Sequence, residues 1–84
     1  MKRSTKIWTK GVDPLVVKLR TEQVRQGVSD YRIGKAIGME PSSIGSMWKG
    51  KRGSPSLSTL RPIVEFLRRP ESEGGNPGFV WADP

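Results

Sequence analysis

An all-α fold is what this sequence predicts: a compact bundle of four to five helices, with a flexible basic arm in front and an irregular tail behind. Three observations carry the expectation. Apolar residues recur at helical spacing in four stretches, each stretch opens on a capping side chain or a proline, and each closes on a glycine or a proline. Eighty-four residues without a cysteine provide for one small core and no disulfide framework. The chain then divides into an arm (1–12), one helical domain (13–69) and a Gly/Pro-rich tail (70–84) with a single apolar patch, Phe79-Val80-Trp81.

The first helix is expected to start at Asp13-Pro14, where the carboxylate can accept from open backbone N–H groups and proline suits the first helical position. Leu15, Val16 and Leu19 form its apolar face, Val24 continues it, and Gly27 ends it. A second helix fits Asp30 to Ile37, entered through Ser29 and closed by Gly38. A third fits Pro41 to Lys49 and ends at Gly50. Beyond the turn-rich "GKRGSPS", Leu60, Ile63, Val64 and Leu67 share one face of a fourth helix that Pro70 terminates. Pro62 lies inside that pattern, and an interior proline costs about 3 kcal/mol. With Thr59 as the cap, Pro62 would fall in the first turn, where its missing N–H is harmless. In the arm, Ile7, Trp8 and Val12 are placed to pin the chain to the core while Lys2, Arg3, Lys6 and Lys10 stay solvated.

Charge narrows the function. Fifteen Lys and Arg stand against eight Asp and Glu, and residues 70–84 hold three of those acids with no base, so residues 1–69 carry most of the positive field. Such a field attracts polyanions, nucleic acid before an anionic membrane. Histidine and cysteine are both absent, which removes the usual zinc ligands and the commonest nucleophile-base pairs. No paired carboxylates and no phosphate-binding glycine loop stand out. The expectation is therefore a cytoplasmic, nucleoid-associated protein that is not an enzyme, carries no cofactor or metal, and takes no small-molecule substrate. The start "MKRSTKIWTKG" lacks the apolar stretch of a signal peptide, and no run approaches a membrane span.

Between Asp30 and Lys49 the chain has the makings of a helix-turn-helix. Two short helices crossing steeply over a tight turn need a small residue where the backbones meet, and Gly34 supplies it. Gly38 supplies a positive φ to close the first helix. Ile33 and Ile37 are expected to face inward, Met39 to plug the turn, and Ile44 with Met47 to seat the second helix. In this stretch, "QGVSDYRIGKAIGMEPSSIGSMWKGKRGSPSLSTL", the sequence resembles the lambda-repressor and Cro type of helix-turn-helix domain, often called Xre-like. The resemblance runs from about Val16 to Leu67. It lies in the order Gly-apolar-Ser, a small residue in the first motif helix, a Gly turn, an apolar pair in the recognition helix, a "GKR" loop and "PSL" before the next helix. Trp48 departs from it, standing where many members carry a polar or acidic residue. So does the tail, where residues 71–78 form helix poorly and Phe79, Val80 and Trp81 stand in for a final helix.

The resemblance implies a sequence-specific transcriptional regulator, a phage or mobile-element repressor or Cro-like protein. Its partner would be double-stranded operator DNA, with inverted half-sites if the protein is a homodimer. Carried over by position, the base contacts are Pro41, Ser42, Gly45 and Ser46, with Lys49 further along. Phosphate contacts are assigned by residue type to Ser29, Tyr31 and Arg32 at the start of the second helix, Ser43 within the third, Lys51 and Arg52 after it, and Ser58 and Thr59 at the fourth. Lys2, Arg3, Lys6 and Lys10 would add arm contacts in an adjacent groove. The competing reading of Ser42, Ser43 and Ser46 is capping or plain solvation, and that of Lys51 and Arg52 a solvated turn. Phe79, Val80 and Trp81 would form either an intramolecular plug or a dimer or partner contact. An alternative function is a protein-interaction module, an antitoxin or transcription cofactor with modest DNA affinity and a partner-binding tail. Non-specific binding of RNA or DNA rests on charge alone, because the motif lacks the interleaved aromatics of single-strand binders.

Overall fold

The computed structural model describes residues 5–51 and 55–81, which hold four α helices and one 3-10 turn. Their order is α1 (Pro14–Gln26), α2 (Asp30–Ile37), α3 (Pro41–Trp48) and α4 (Leu57–Leu67), followed by a 3-10 turn at Glu71–Glu73. Both α1 and α2 pack against α3 and α4. The Cα radius of gyration, 11.8 Å, equals the value of about 12 Å expected for a folded chain of this length. Among the described residues no helix is long and apolar enough to cross a membrane.

The caps explain the helix boundaries. Asp13 Oδ1 accepts from the Leu15 N–H at 2.9 Å, and Ser29 Oγ accepts from the Arg32 N–H at 3.1 Å. Gly38, at φ 75°, ends α2 and donates its N–H to the Gly34 carbonyl. That carbonyl also accepts from Met39, so the chain leaves α2 in one sharp bend. A side chain on Gly34 would run into the Met39 carbonyl, which is why the small residue is required there.

Val16, Leu19, Ile33, Ile44, Met47, Leu60, Ile63, Val64 and Leu67 are all buried, as their spacing predicts. Ile37 and Met39 pack against this core from its edge. α1 departs from expectation beyond Leu19. Val24 is only half-buried, and the inward face continues through Arg20 and Gln23. Those two follow Val16 and Leu19 at helical spacing, and hydrogen bonds compensate their burial.

α4 also corrects the reading. Ser56, not Thr59, is the N-cap residue, and Pro62 sits inside the helix. Its ring stands on the exposed side, and Ser58, whose carbonyl lacks the donor proline cannot supply, is itself exposed.

The chain on either side of the helices is folded onto them. The arm, expected to be flexible, is held over residues 5–12: Val12 is buried, Trp8 is half-buried, and Arg20 Nε donates to the Lys6 carbonyl at 2.9 Å. Ile7, expected to help pin it, is exposed. In the tail, Phe79 and Trp81 are buried in the core of their own chain while Val80 is 71% exposed. Trp81 Nε1 donates to the Leu15 carbonyl at 3.1 Å, and Arg68 Nε donates to the Phe79 carbonyl at 2.9 Å. Phe79 and Trp81 thus pack as an intramolecular plug, and Val80 is left at the surface.

Candidate nucleic-acid interface

α3 is the element on which the sequence places the base contacts, and its sides differ. Ile44, Met47 and Trp48 are buried. Ser42 and Lys49 are exposed, and Pro41, Ser43, Gly45 and Ser46 are half-buried at the surface. Glu40 is the N-cap residue and makes no side-chain cap, and Pro41 takes the first turn without needing a donor partner. Among the described residues, the hydroxyls of Ser42, Ser43 and Ser46 make no hydrogen bond. Capping therefore does not occupy them, and each is left with a donor and acceptor capacity.

The residues expected to hold phosphate are less uniform. Ser29 caps α2, Tyr31 is 60% exposed and Lys51 is exposed. Lys35 Nζ lies over the Tyr31 ring at 5.7 Å from its centre. Arg32 leans the other way, over Phe66 of α4 at 5.9 Å, and shares that ring with Arg69 at 4.2 Å. Ser58 and Thr59 form a hydroxyl cluster with Ser56, at 2.9 and 3.2 Å from its Oγ. Lys10 is exposed, and Lys2, Arg3 and Arg52 lie outside the described residues.

Sequence reasoning missed a polar network that ties the arm, α1, α2 and α3 together. Asp30 Oδ1 accepts from Gln23 Nε2 at 2.7 Å and from the buried Trp48 indole N–H at 2.9 Å. Gln23 Oε1 in turn accepts from Arg20 at 2.6 Å. This gives Trp48 its role, since its ring fills the core while its one donor reaches the start of α2. Burial pulls the Arg20 guanidinium below the usual arginine range, and Asp30, 4.0 Å away, opposes that shift. The available signal was Arg20 and Gln23 following Val16 and Leu19 at core spacing. Their partners outside α1 were not readable, because Asp30 lies on another helix and the Lys6 carbonyl in the arm.

Above the network sits a hollow of about 240 Å³ lined by Trp8, Arg20, Gln23, Asp30, Gly45, Trp48 and Lys49. Of the predicted contact residues it brings together Gly45 and Lys49, with Lys6 at its edge over the Trp8 ring. Tyr31 lies in a separate depression beside Gly38 and Pro41. Compared with known proteins, the chain matches no family model, no curated protein and no solved structure at a significant level.

Proposed function

We propose that the protein is a sequence-specific DNA-binding regulator without enzymatic activity, in which α2 and α3 form a helix-turn-helix and α3 lies in the major groove. The observation that carries this reading is the two-sided character of α3. One side is locked into the core by Ile44, Met47 and Trp48, and the other presents serine hydroxyls with no intramolecular partner, next to Lys49 and Lys51. Serine reads base edges weakly on its own, so discrimination would be shared among Pro41, Ser42, Gly45 and Ser46. The excess of basic residues over residues 1–69 supplies the backbone attraction and a steep dependence on salt.

The resemblance to lambda-repressor and Cro-type domains makes a phage or mobile-element repressor the form of this proposal, acting on operator DNA in the cytoplasm. A homodimer would take inverted half-sites centred roughly 34–36 Å apart. The partner-binding tail of the alternative function is disfavoured, because the two tail rings are already buried in their own chain.

Selection of bound duplexes from a random pool tests the reading. A short consensus, palindromic if the protein is a dimer, is the expected result. Equal recovery of all sequences would leave only non-specific polyanion binding.

A further inference from the structure

The hollow beside Trp8 is not explained by base contacts from the outer side of α3. Three cations from three parts of the chain surround the one half-buried Trp8 ring: Arg20 of α1 at 5.3 Å from its centre, Lys49 after α3 at 5.7 Å, and Lys6 of the arm at 5.8 Å. We propose that this hollow binds a phosphate group, with Lys6 and Lys49 as its direct ligands and Trp8 as the residue that positions them. The inference rests on the DNA-binding reading only for the source of the phosphate, which would be a phosphodiester of the duplex backbone.

Like charges do not gather around one ring without a reason. The two ammonium groups sit near the outer limit of cation–π attraction, about 6 Å, so the ring holds them loosely. Among the described residues neither forms an ion pair. Each keeps donors for a further acceptor, since an ammonium has three and no acceptor of its own. Arg20 plays a different part. Its Nε is bonded to the Lys6 carbonyl and its guanidinium to Gln23, so it forms a fixed charged floor.

The one carboxylate lining the hollow, Asp30, has its Oδ1 occupied by Gln23 and Trp48 and lies beside Arg20. Among the described residues around Trp8 the balance is therefore three positive charges against one negative. Gly45 lines the hollow beside Asp30, where a Cβ would make only an ordinary contact, 3.5 Å from Asp30 Oδ2. Lysine binds phosphate as a point charge and does not need the planar match that arginine makes with a carboxylate. Two lysines beside the Trp8 ring, over the fixed charge of Arg20, thus fit a compact polyanionic group.

Fluorine NMR of the full chain carrying 5-fluorotryptophan reads the site directly. The sequence has three tryptophans; Trp8 is assigned through Trp8→Phe, and Trp81, which lines a different depression, is the internal control. The probes are pyrophosphate, chloride at matched ionic strength, and a mixed-sequence duplex. The Trp8 signal is expected to move with pyrophosphate and duplex and not with chloride, and to stop moving in Lys6→Ala/Lys49→Ala. In duplex titrations Lys49→Ala should weaken binding about fivefold and lower the salt slope by about one. Trp8→Phe should keep most of the affinity that Trp8→Ala loses.

Movement with pyrophosphate but no duplex binding upholds the site and overturns the duplex as its source. Movement with the duplex alone, lost in the double lysine variant, upholds the site for backbone phosphate. A silent Trp8 while other signals report duplex binding overturns the site and leaves the DNA reading standing. Movement that persists in the double variant overturns the assignment of Lys6 and Lys49. Silence toward every probe overturns the site.

Discussion

Asp30 holds more of the architecture than its position at the start of an eight-residue helix implies. Its Oδ1 is the common acceptor for a donor from α1 and a donor from α3, and both donors belong to buried side chains. Removing the acceptor leaves two buried N–H groups unpaired, at about 1–3 kcal/mol each. Asp30→Ala is therefore expected to lower the unfolding free energy by about 2–6 kcal/mol in urea titration. Asp30→Asn, which keeps an oxygen acceptor, should lose less than half of that. The network was hidden in the sequence for a physical reason: polar residues at core spacing are interpretable only with their partners, and Asp30 and Trp48 lie on other helices. Ile33, Ile44 and Met47 were legible because apolar burial needs no specific partner.

Among the elements, α2 matches its expected boundaries, because Ser29 and Gly38 each act through contacts within a few residues. α3 needed no more than Pro41 and Gly50 to be placed. α4 is different, since its hydrophobic pattern was clear while its start was not. The preference for keeping proline out of a helix interior pointed to Thr59 as the cap, yet Leu57, Leu60 and the rest of the face draw the helix back to Ser56. Burial of a continuous face outweighs one lost hydrogen bond on the exposed side. Replacing Pro62 restores a backbone donor but also frees the unfolded chain. Pro62→Ala is expected to stabilise by about 1–2 kcal/mol, less than the full interior-proline cost of about 3. Thermal unfolding monitored by circular dichroism would register the gain as a higher midpoint.

Across the described residues, 5–12 of the arm and 70–81 of the tail are parts of the fold, and the tail is fastened at its polar side as well as its apolar side. Glu22 accepts from Arg25, Gln26 and, at 3.4 Å, Asn76 of the tail. Burial raises the Glu22 pKa, but these hydrogen bonds and the Arg25 charge outweigh it and hold the carboxyl below its usual value. A depressed pKa stabilises the fold above the unfolded value, about 4.3, and that contribution disappears as pH falls through the folded value. Acid titration of Glu22→Gln should accordingly show a shallower loss of stability below about pH 4.3 than the parent chain.

The apolar side of the tail separates two substitutions only one residue apart. Trp81→Ala should cost about 3–5 kcal/mol, a large share of the stability of so small a domain. Val80→Asp, at an exposed position, should change it by less than about 0.5 kcal/mol. The sequence left plug and partner contact open for this patch because three adjacent apolar residues carry no directional signal. In the structure Phe79 and Trp81 are buried while Val80 between them is exposed.

The account depends on one face of α3 reading a duplex, and comparative binding measures that most directly. The wild type, Ser42→Ala, Ser46→Ala and Lys51→Ala would be titrated against every single-base variant of a selected duplex. Each serine variant should change the preference at one or two positions by no more than about 1–3 kcal/mol, while Lys51→Ala should weaken all sequences alike. Base preferences unchanged in both serine variants would contradict the placement of α3 in the groove.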